Sequence, residues 1–209
     1  MKIGIVGGTF DPFHHGHIEP VLASRETMEW DRIIYVVAHR QPFKLDVEAA
    51  PDWHRWAMLV LGTSDHDDVY ASDVELTRGE VSYTVETLEQ LRAQYPEATL
   101  DWIIGDDNLA KLDEWKNIDR IFELANFAVL SRVGQTFLSG PRQTRMSLPH
   151  ARPPHGAIVF THNATIPISS TDIRKRIRAG ESIDAFVDPR VSRYIDHYGL
   201  YRHSSKGNS

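Results

Sequence analysis

Short apolar runs alternating with helix-patterned segments are the feature that most constrains this chain. Residues 2–6 form an apolar run stopped by Gly7-Gly8; 32–37 (RIIYVV), 99–104, 127–130 and 157–160 are further apolar or β-branched runs of strand length. Residues 69–76 alternate as an exposed or edge strand does. Between these runs, 15–29 has helical composition, and 52–61 carries Trp53, Trp56, Ala57, Val60 and Leu61 at amphipathic spacing. Residues 84–94 set Val85, Leu88 and Leu91 on one face, and 108–115 and 119–124 also read as helical. A helix over 170–179 stops at Gly180; another over 189–198 has Asp188 as N-cap, Pro189 in its first turn and Gly199 at its end. Strands alternating with helices predict a parallel sheet covered on both faces. Ligands in such sheets bind beyond the carboxyl ends of the strands, so residues just after strands are the first candidates for function.

With 209 residues and 41% hydrophobic content, one substantial core and a single domain are expected. The formal net charge of -6 disfavours nucleic acid and membrane surfaces as partners, because both are polyanions; a local basic pocket for a small anion is compatible with it. The absence of cysteine excludes disulfides and thiolate metal sites and fits a reducing compartment. The N-terminal apolar stretch is broken by Gly7, Gly8 and Asp11, too short for a signal peptide, and no run approaches the roughly 20 residues of a membrane span. The expected location is the cytoplasm; homo-oligomerisation stays open. Residues 133–156 contain Pro141, Pro149, Pro153, Pro154, Arg142, Arg145 and Arg152 and no acid, and read as a long loop, either a surface insertion or a lid. The domain is expected to span 1–202, with 203–209 a disordered tail.

The most informative segment is Gly7-Gly8-Thr9-Phe10-Asp11-Pro12-Phe13-His14-His15-Gly16-His17, placed after the first strand and opening the first helix. Glycines there let backbone approach a ligand, and a helix N-terminus favours a phosphate. It is neither a P-loop nor a G-x-G-x-x-G fingerprint. His14 and His17, three apart, share a helix face and can donate hydrogen bonds to phosphoryl oxygens or carry charge beside an anion. The competing readings are a metal site, which lacks the His-Glu-x-x-His pattern, and ordinary surface histidines. Ile168-Ser169-Ser170-Thr171-Asp172-Ile173-Arg174 opens a later helix: Ser169 and Asp172 have capping-box spacing, and Arg174 adds a cation one turn in, so the same residues cap a helix and offer an anion site.

The first segment resembles the GGTFDPxHxGH motif of bacterial nicotinate-mononucleotide adenylyltransferases, in the wider HxGH nucleotidyltransferase superfamily, and the second resembles that family's ISSTxIRxR signature. Three middle segments are similar to the same branch: Glu75-Leu76-x-Arg78-Gly79-x-x-Ser82-Tyr83-Thr84, Ile103-Ile104-Gly105-Asp106-Asp107-Asn108-Leu109 followed by Trp115, and Leu130-Ser131-Arg132. The resemblance runs from Lys2 to about Tyr201. It implies a Rossmann-like doubly wound α/β fold and transfer of an adenylyl group from ATP, with Mg²⁺, to nicotinate mononucleotide. It implies an ATP site at Gly8, Thr9, Phe10, His14, His17, Gly105, Asp107, Ser170, Thr171 and Arg174. It implies a mononucleotide site at Thr84, Trp115, Arg132 and Lys44, with Trp115 stacked on the pyridine ring and Thr84 near its carboxylate. Charge stabilisation then falls to His14, His17, Lys44 and Arg174. Trp115 equally fits a core position, Thr84 a helix cap and Arg132 a surface site. Two departures stand out: Phe43 replaces the histidine of a Pro-His-Lys run, and Gly105-Asp106-Asp107 replaces Gly-Ala-Asp. The alternatives are another acceptor (nicotinamide mononucleotide or pantetheine phosphate), a non-catalytic nucleotide-binding regulator, and a histidine-based metal protein.

Overall fold

The computed structural model describes residues 1–42, 49–131, 146–147, 155–162 and 166–202. In chain order the elements are β1 (Lys2–Gly8), α1 (His15–Met28), β2 (Arg32–Val37), α2 (Asp52–Thr63), β3 (Val69–Ser72), α3 (Val74–Arg78), α4 (Thr84–Gln94) and β4 (Thr99–Gly105). A 3₁₀ helix (Asp106–Glu114), α5 (Ile118–Leu124), β5 (Asn126–Ser131), β6 (Met146–Ser147), β7 (Ile158–His162), α6 (Ser170–Ala179) and α7 (Pro189–Tyr198) follow. The strands pair in parallel in the order β3-β2-β1-β4-β5-β7-β6. Successive residues of β2 point to opposite faces: Ile34 and Val36 pack with Val85 and Leu88 of α4, while Ile33, Tyr35 and Val37 pack with Ile18 and Val21 of α1. This is the parallel sheet covered on both faces that the alternation of strand and helix predicts, in the doubly wound Rossmann-like form that the resemblance implies. The chain leaves β1 toward β2 on one side and returns to β4 on the other, so the order reverses between β1 and β4. A crevice opens at such a switch point.

A third apolar cluster joins Met58 of α2, Ile173 of α6 and Val191 and Ile195 of α7, together with Ile183 and Val187. It seats α6 beside the carboxyl end of β1. The ends of the last two helices follow the sequence: Asp188 accepts the Arg190 N–H at 2.7 Å, and Gly180 and Gly199 take left-handed C-cap conformations.

Four expectations need correction. The helix over 52–61 exists, but its buried face is His54, Arg55, Met58, Leu59, Gly62 and Thr63, while Trp53 is 57% and Val60 39% exposed. The apolar stripe lies about one residue, roughly 100° of helix, away from the true core face, because Arg55 finds acceptors inside and Trp53 joins His54 and Tyr198 in a surface aromatic group. The run 69–76 is an edge strand only as far as Ser72; α3 follows, stopped by Gly79 in the left-handed conformation. Where a helix over 108–115 is expected, the chain forms not an α-helix but the 3₁₀ helix ending at Glu114, which leaves Trp115 extended as its C-cap. Within 133–156, Met146–Ser147 add a strand beside β7, so the segment is not all loop. The rest of that segment up to Pro154, and the tail 203–209, lie outside the described residues.

Candidate active site

The loop between β1 and α1 is held from behind. The Thr9 carbonyl accepts from Arg55 Nη1 at 2.8 Å, the Asp11 carbonyl from Arg174 Nη1 at 2.6 Å, and the Pro12 carbonyl from Ser170 Oγ at 3.0 Å. The buried Asp11 carboxylate accepts the Tyr201 hydroxyl at 2.7 Å and the Ala50 N–H at 3.2 Å, and lies 3.7 Å from Arg174. Burial, and then the Asp11 charge, push the Tyr201 phenol far above its ordinary value, so it stays a donor. Phe10 has φ +50°, unusual for a bulky residue; its ring is wedged edge-on against Phe13, His17 and Tyr35 at 5.5, 5.1 and 5.8 Å between centroids. Gly8 is required beside it, since a Cβ there would lie 2.7 Å from the Phe10 ring.

His14 is the N-cap of α1, and its N–H donates to Nδ1 of His17 at 3.2 Å. The two rings stack at 3.6 Å between centroids, which realises the shared face that their spacing predicts. Accepting through Nδ1 leaves the His17 proton on Nε2, a donor position. His14 is buried, its Nδ1 has no partner among the described residues, and burial, then the neighbouring His15, lower its pKa to about 4. It is therefore a neutral hydrogen-bonding group near pH 7 rather than a cation. His15 turns away: its N–H donates to the Phe186 carbonyl at 2.8 Å and its ring meets Glu19 at 3.3 Å.

A cavity of about 710 Å³ opens at the carboxyl ends of β1 and β4, and Gly8, His17, Thr84, Gly105, Asp107 and Trp115 line it. Residues from three separate sequence motifs thus share one wall. Thr9, Phe10, His14, Ser170, Thr171 and Arg174 are not in that wall; Phe10 and His14 pack on His17, which is, and Ser170 and Arg174 hold the loop through Pro12 and Asp11. Ser169 Oγ accepts the Asp172 N–H at 3.1 Å as the capping reading requires, and Arg174 Nη2 donates to Thr171 Oγ1 at 3.2 Å. The two anion motifs therefore meet, through Ser170–Pro12 and Arg174–Asp11. Trp115 satisfies both of its readings: it lines the cavity and packs edge-to-face on Phe127 at 5.7 Å. Lys44 and Arg132 lie outside the described residues.

Three residues were missed. Trp102 presents a second indole to the cavity, and a Cβ on Gly7 would come within 2.6 Å of it. Glu75, also in the wall, accepts the Thr87 hydroxyl, and burial raises its pKa. Arg55 is 1% exposed. Two of them left a signal: Glu75 opens the segment that resembles the family branch, and Arg55 is a cation three residues before Met58, on a helix whose next turn is apolar. Among the described residues no three His, Asp or Glu are grouped to hold a metal ion, and no helix is long and apolar enough to cross a membrane.

A parallel sheet with a glycine–histidine loop at its switch point and a capped basic helix behind it defines the nucleotidyltransferase class, and the Cytidylyltransferase-like family matches residues 5–176. A protein named "Probable nicotinate-nucleotide adenylyltransferase" from Tropheryma whipplei (strain Twist) is 35% identical over 94% of this chain and 98% of its own length. One of the same name from Opitutus terrae is 36% identical over 98% of this chain and 100% of its own. The structure of the Plasmodium falciparum nicotinic acid mononucleotide adenylyltransferase complexed with NaAD shares the fold, with a TM-score of 0.73 at 20% identity, over 96% of this chain and 97% of that one. The chain belongs to the nicotinate-nucleotide adenylyltransferase family.

Proposed function

We propose that this protein transfers the adenylyl group of ATP to the 5′-phosphate of nicotinate mononucleotide, forming nicotinate adenine dinucleotide and pyrophosphate. The observation that carries the reading is the shared cavity. The glycine–histidine loop, suited to polyphosphate, and the Thr84–Trp115 wall, suited to a flat ring bearing a carboxylate, line the same space. A phosphate oxygen of the mononucleotide attacks the α-phosphorus in line, the bond from that phosphorus to the bridging oxygen breaks, and pyrophosphate carries the charge away. The nucleophile is already an anion, so no general base is needed, and catalysis rests on positioning and charge stabilisation.

In this reading Gly8, Thr9, Phe10, Gly105 and Asp107 form the nucleotide side. His17 donates from Nε2 to a phosphoryl oxygen, and His14 supports it as a neutral group. Arg174 bonds Asp11 and Thr171 through two nitrogens, and its remaining donors serve the phosphates with Ser170 and Thr171. Lys44 and Arg132 supply further cationic contacts. Mg²⁺ enters as part of the ATP substrate and neutralises its phosphates. The test is pyrophosphate release from ATP and Mg²⁺ with nicotinate, nicotinamide or pantetheine phosphate acceptors. Fastest release with nicotinate mononucleotide is expected. Faster release with another acceptor would reassign the substrate, and ATP binding without turnover on any of them would make the protein a regulator.

A further inference from the structure

We propose that Arg55 is a positioning residue for adenylyl transfer: by gripping the Thr9 and Ala38 carbonyls it sets the shape of the nucleotide side of the cavity, and with it the affinity for ATP. The proposal rests on the reading of that side as the ATP site. A guanidinium is among the groups least tolerated in a protein interior, and it persists there only when its donors are met. Here they are. Nη1 donates to Thr9 O at 2.8 Å and Ala38 O at 2.7 Å, Nε to Ala50 O at 2.9 Å, and Nη2 to His39 O at 3.4 Å and the Asp52 carboxylate.

These acceptors belong to three stretches of chain: the loop after β1, the end of β2 and the approach to α2. Gly8 and Ala38 themselves line the cavity, and the Ala38 N–H donates to the Gly8 carbonyl at 2.8 Å. Arg55 is thus one residue behind the wall. A peptide plane held at its carbonyl has its N–H direction fixed on the opposite side, so the bond to Thr9 O sets where the Phe10 N–H points. Ser170 does the same for the Pro12 carbonyl and the Phe13 N–H, while Arg174 holds the Asp11 carbonyl, whose peptide partner Pro12 has no N–H. Only a planar fork with five donors spans this set of acceptors. A lysine ammonium has three donors on one atom and cannot reach strand end, loop and Asp52 together.

The test compares Arg55→Lys with wild type for the dissociation constants of Mg²⁺-ATP and of nicotinate mononucleotide, the two KM values, kcat, and the melting temperature. ATP Kd and KM should rise about tenfold or more, and mononucleotide Kd, governed by Thr84 and Trp115, should change less than about twofold. A merely structural Arg55 would lower the melting temperature and leave both affinities of the folded protein alone, or weaken them equally; either result overturns the proposal. If Arg55→Lys does not fold, Asp52→Asn loosens the guanidinium while keeping its carbonyl partners. A selective rise in ATP KM is then expected, and an unchanged ATP KM overturns the proposal. A wild-type protein that binds ATP but turns over no acceptor sinks the functional reading and leaves the Arg55 prediction standing on ATP Kd; one that does not bind ATP sinks both.

Discussion

Replacing His14 by asparagine isolates a pH dependence of stability. The side chain is 4% exposed, and burial, followed by His15, lowers its pKa from 6.5 to about 4. The unfolded chain takes up a proton at His14 below about pH 6.5, and the native state resists it until about pH 4. The neutral buried imidazole is therefore fully tolerated above pH 6.5, and stability is lost as pH falls through the window between the two values. Each pH unit within it is worth about 1.4 kcal/mol, so the full window amounts to roughly 3 kcal/mol. The substituted asparagine still suits an N-cap but cannot titrate. Urea unfolding of both proteins, followed by tryptophan fluorescence from about pH 7.5 to pH 5, reads the difference. The stability gap between wild type and His14→Asn should shift against wild type by about 1.5 kcal/mol between pH 6.5 and pH 5. Subtracting one protein from the other removes the contributions of the groups that both share. A gap that stays constant with pH would refute the claim that His14 is held neutral.

Three further substitutions probe other links. His17→Ala should lower kcat about 100-fold or more, as loss of one donor to developing charge does, with a melting temperature close to wild type; wild-type turnover would remove His17 from the mechanism. Trp115→Ala should raise the KM for the mononucleotide by the value of one stacked base, about 1–3 kcal/mol, and leave the KM for ATP nearly unchanged, which steady-state kinetics in each substrate would check. Gly62→Ala puts a Cβ 2.5 Å from Phe13 Cδ1; overpacking of about 1–3 kcal/mol should outweigh the roughly 1 kcal/mol gain in helix propensity and lower the denaturation midpoint. Because Phe13 stacks on His17 at 5.6 Å, kcat of Gly62→Ala should fall as well, although the substitution lies outside the cavity wall.

Much of the site was legible because its chemistry is local. Gly8 must lack a side chain beside Phe10, His14 and His17 must share a face when spaced by three, and Ser169 must cap when Asp172 follows it. The parts that went unread depend on partners far away in the chain. Arg55 looks like a surface cation until the Thr9 and Ala38 carbonyls are folded onto it, and Trp53 looks like core until α7 is placed beside it. The 3₁₀ helix that carries Asp107 toward Trp115 has apolar spacing that reads as an α-helix, and the tighter turn and i to i+3 hydrogen bonding that distinguish it are not written in that spacing.

The sequence by itself determined the alternation of strand and helix, the doubly wound class, the glycine–histidine and serine–threonine motifs and the family they belong to. Each of these is written in residues close enough along the chain to constrain one another through backbone geometry. The tertiary structure alone decided which face of α2 is inside, that His14 is neutral, and that the loop between β1 and α1 is braced by Arg55, Arg174 and Ser170. Burial and hydrogen-bond satisfaction are properties of what surrounds a side chain, and those surroundings exist only once distant segments have packed.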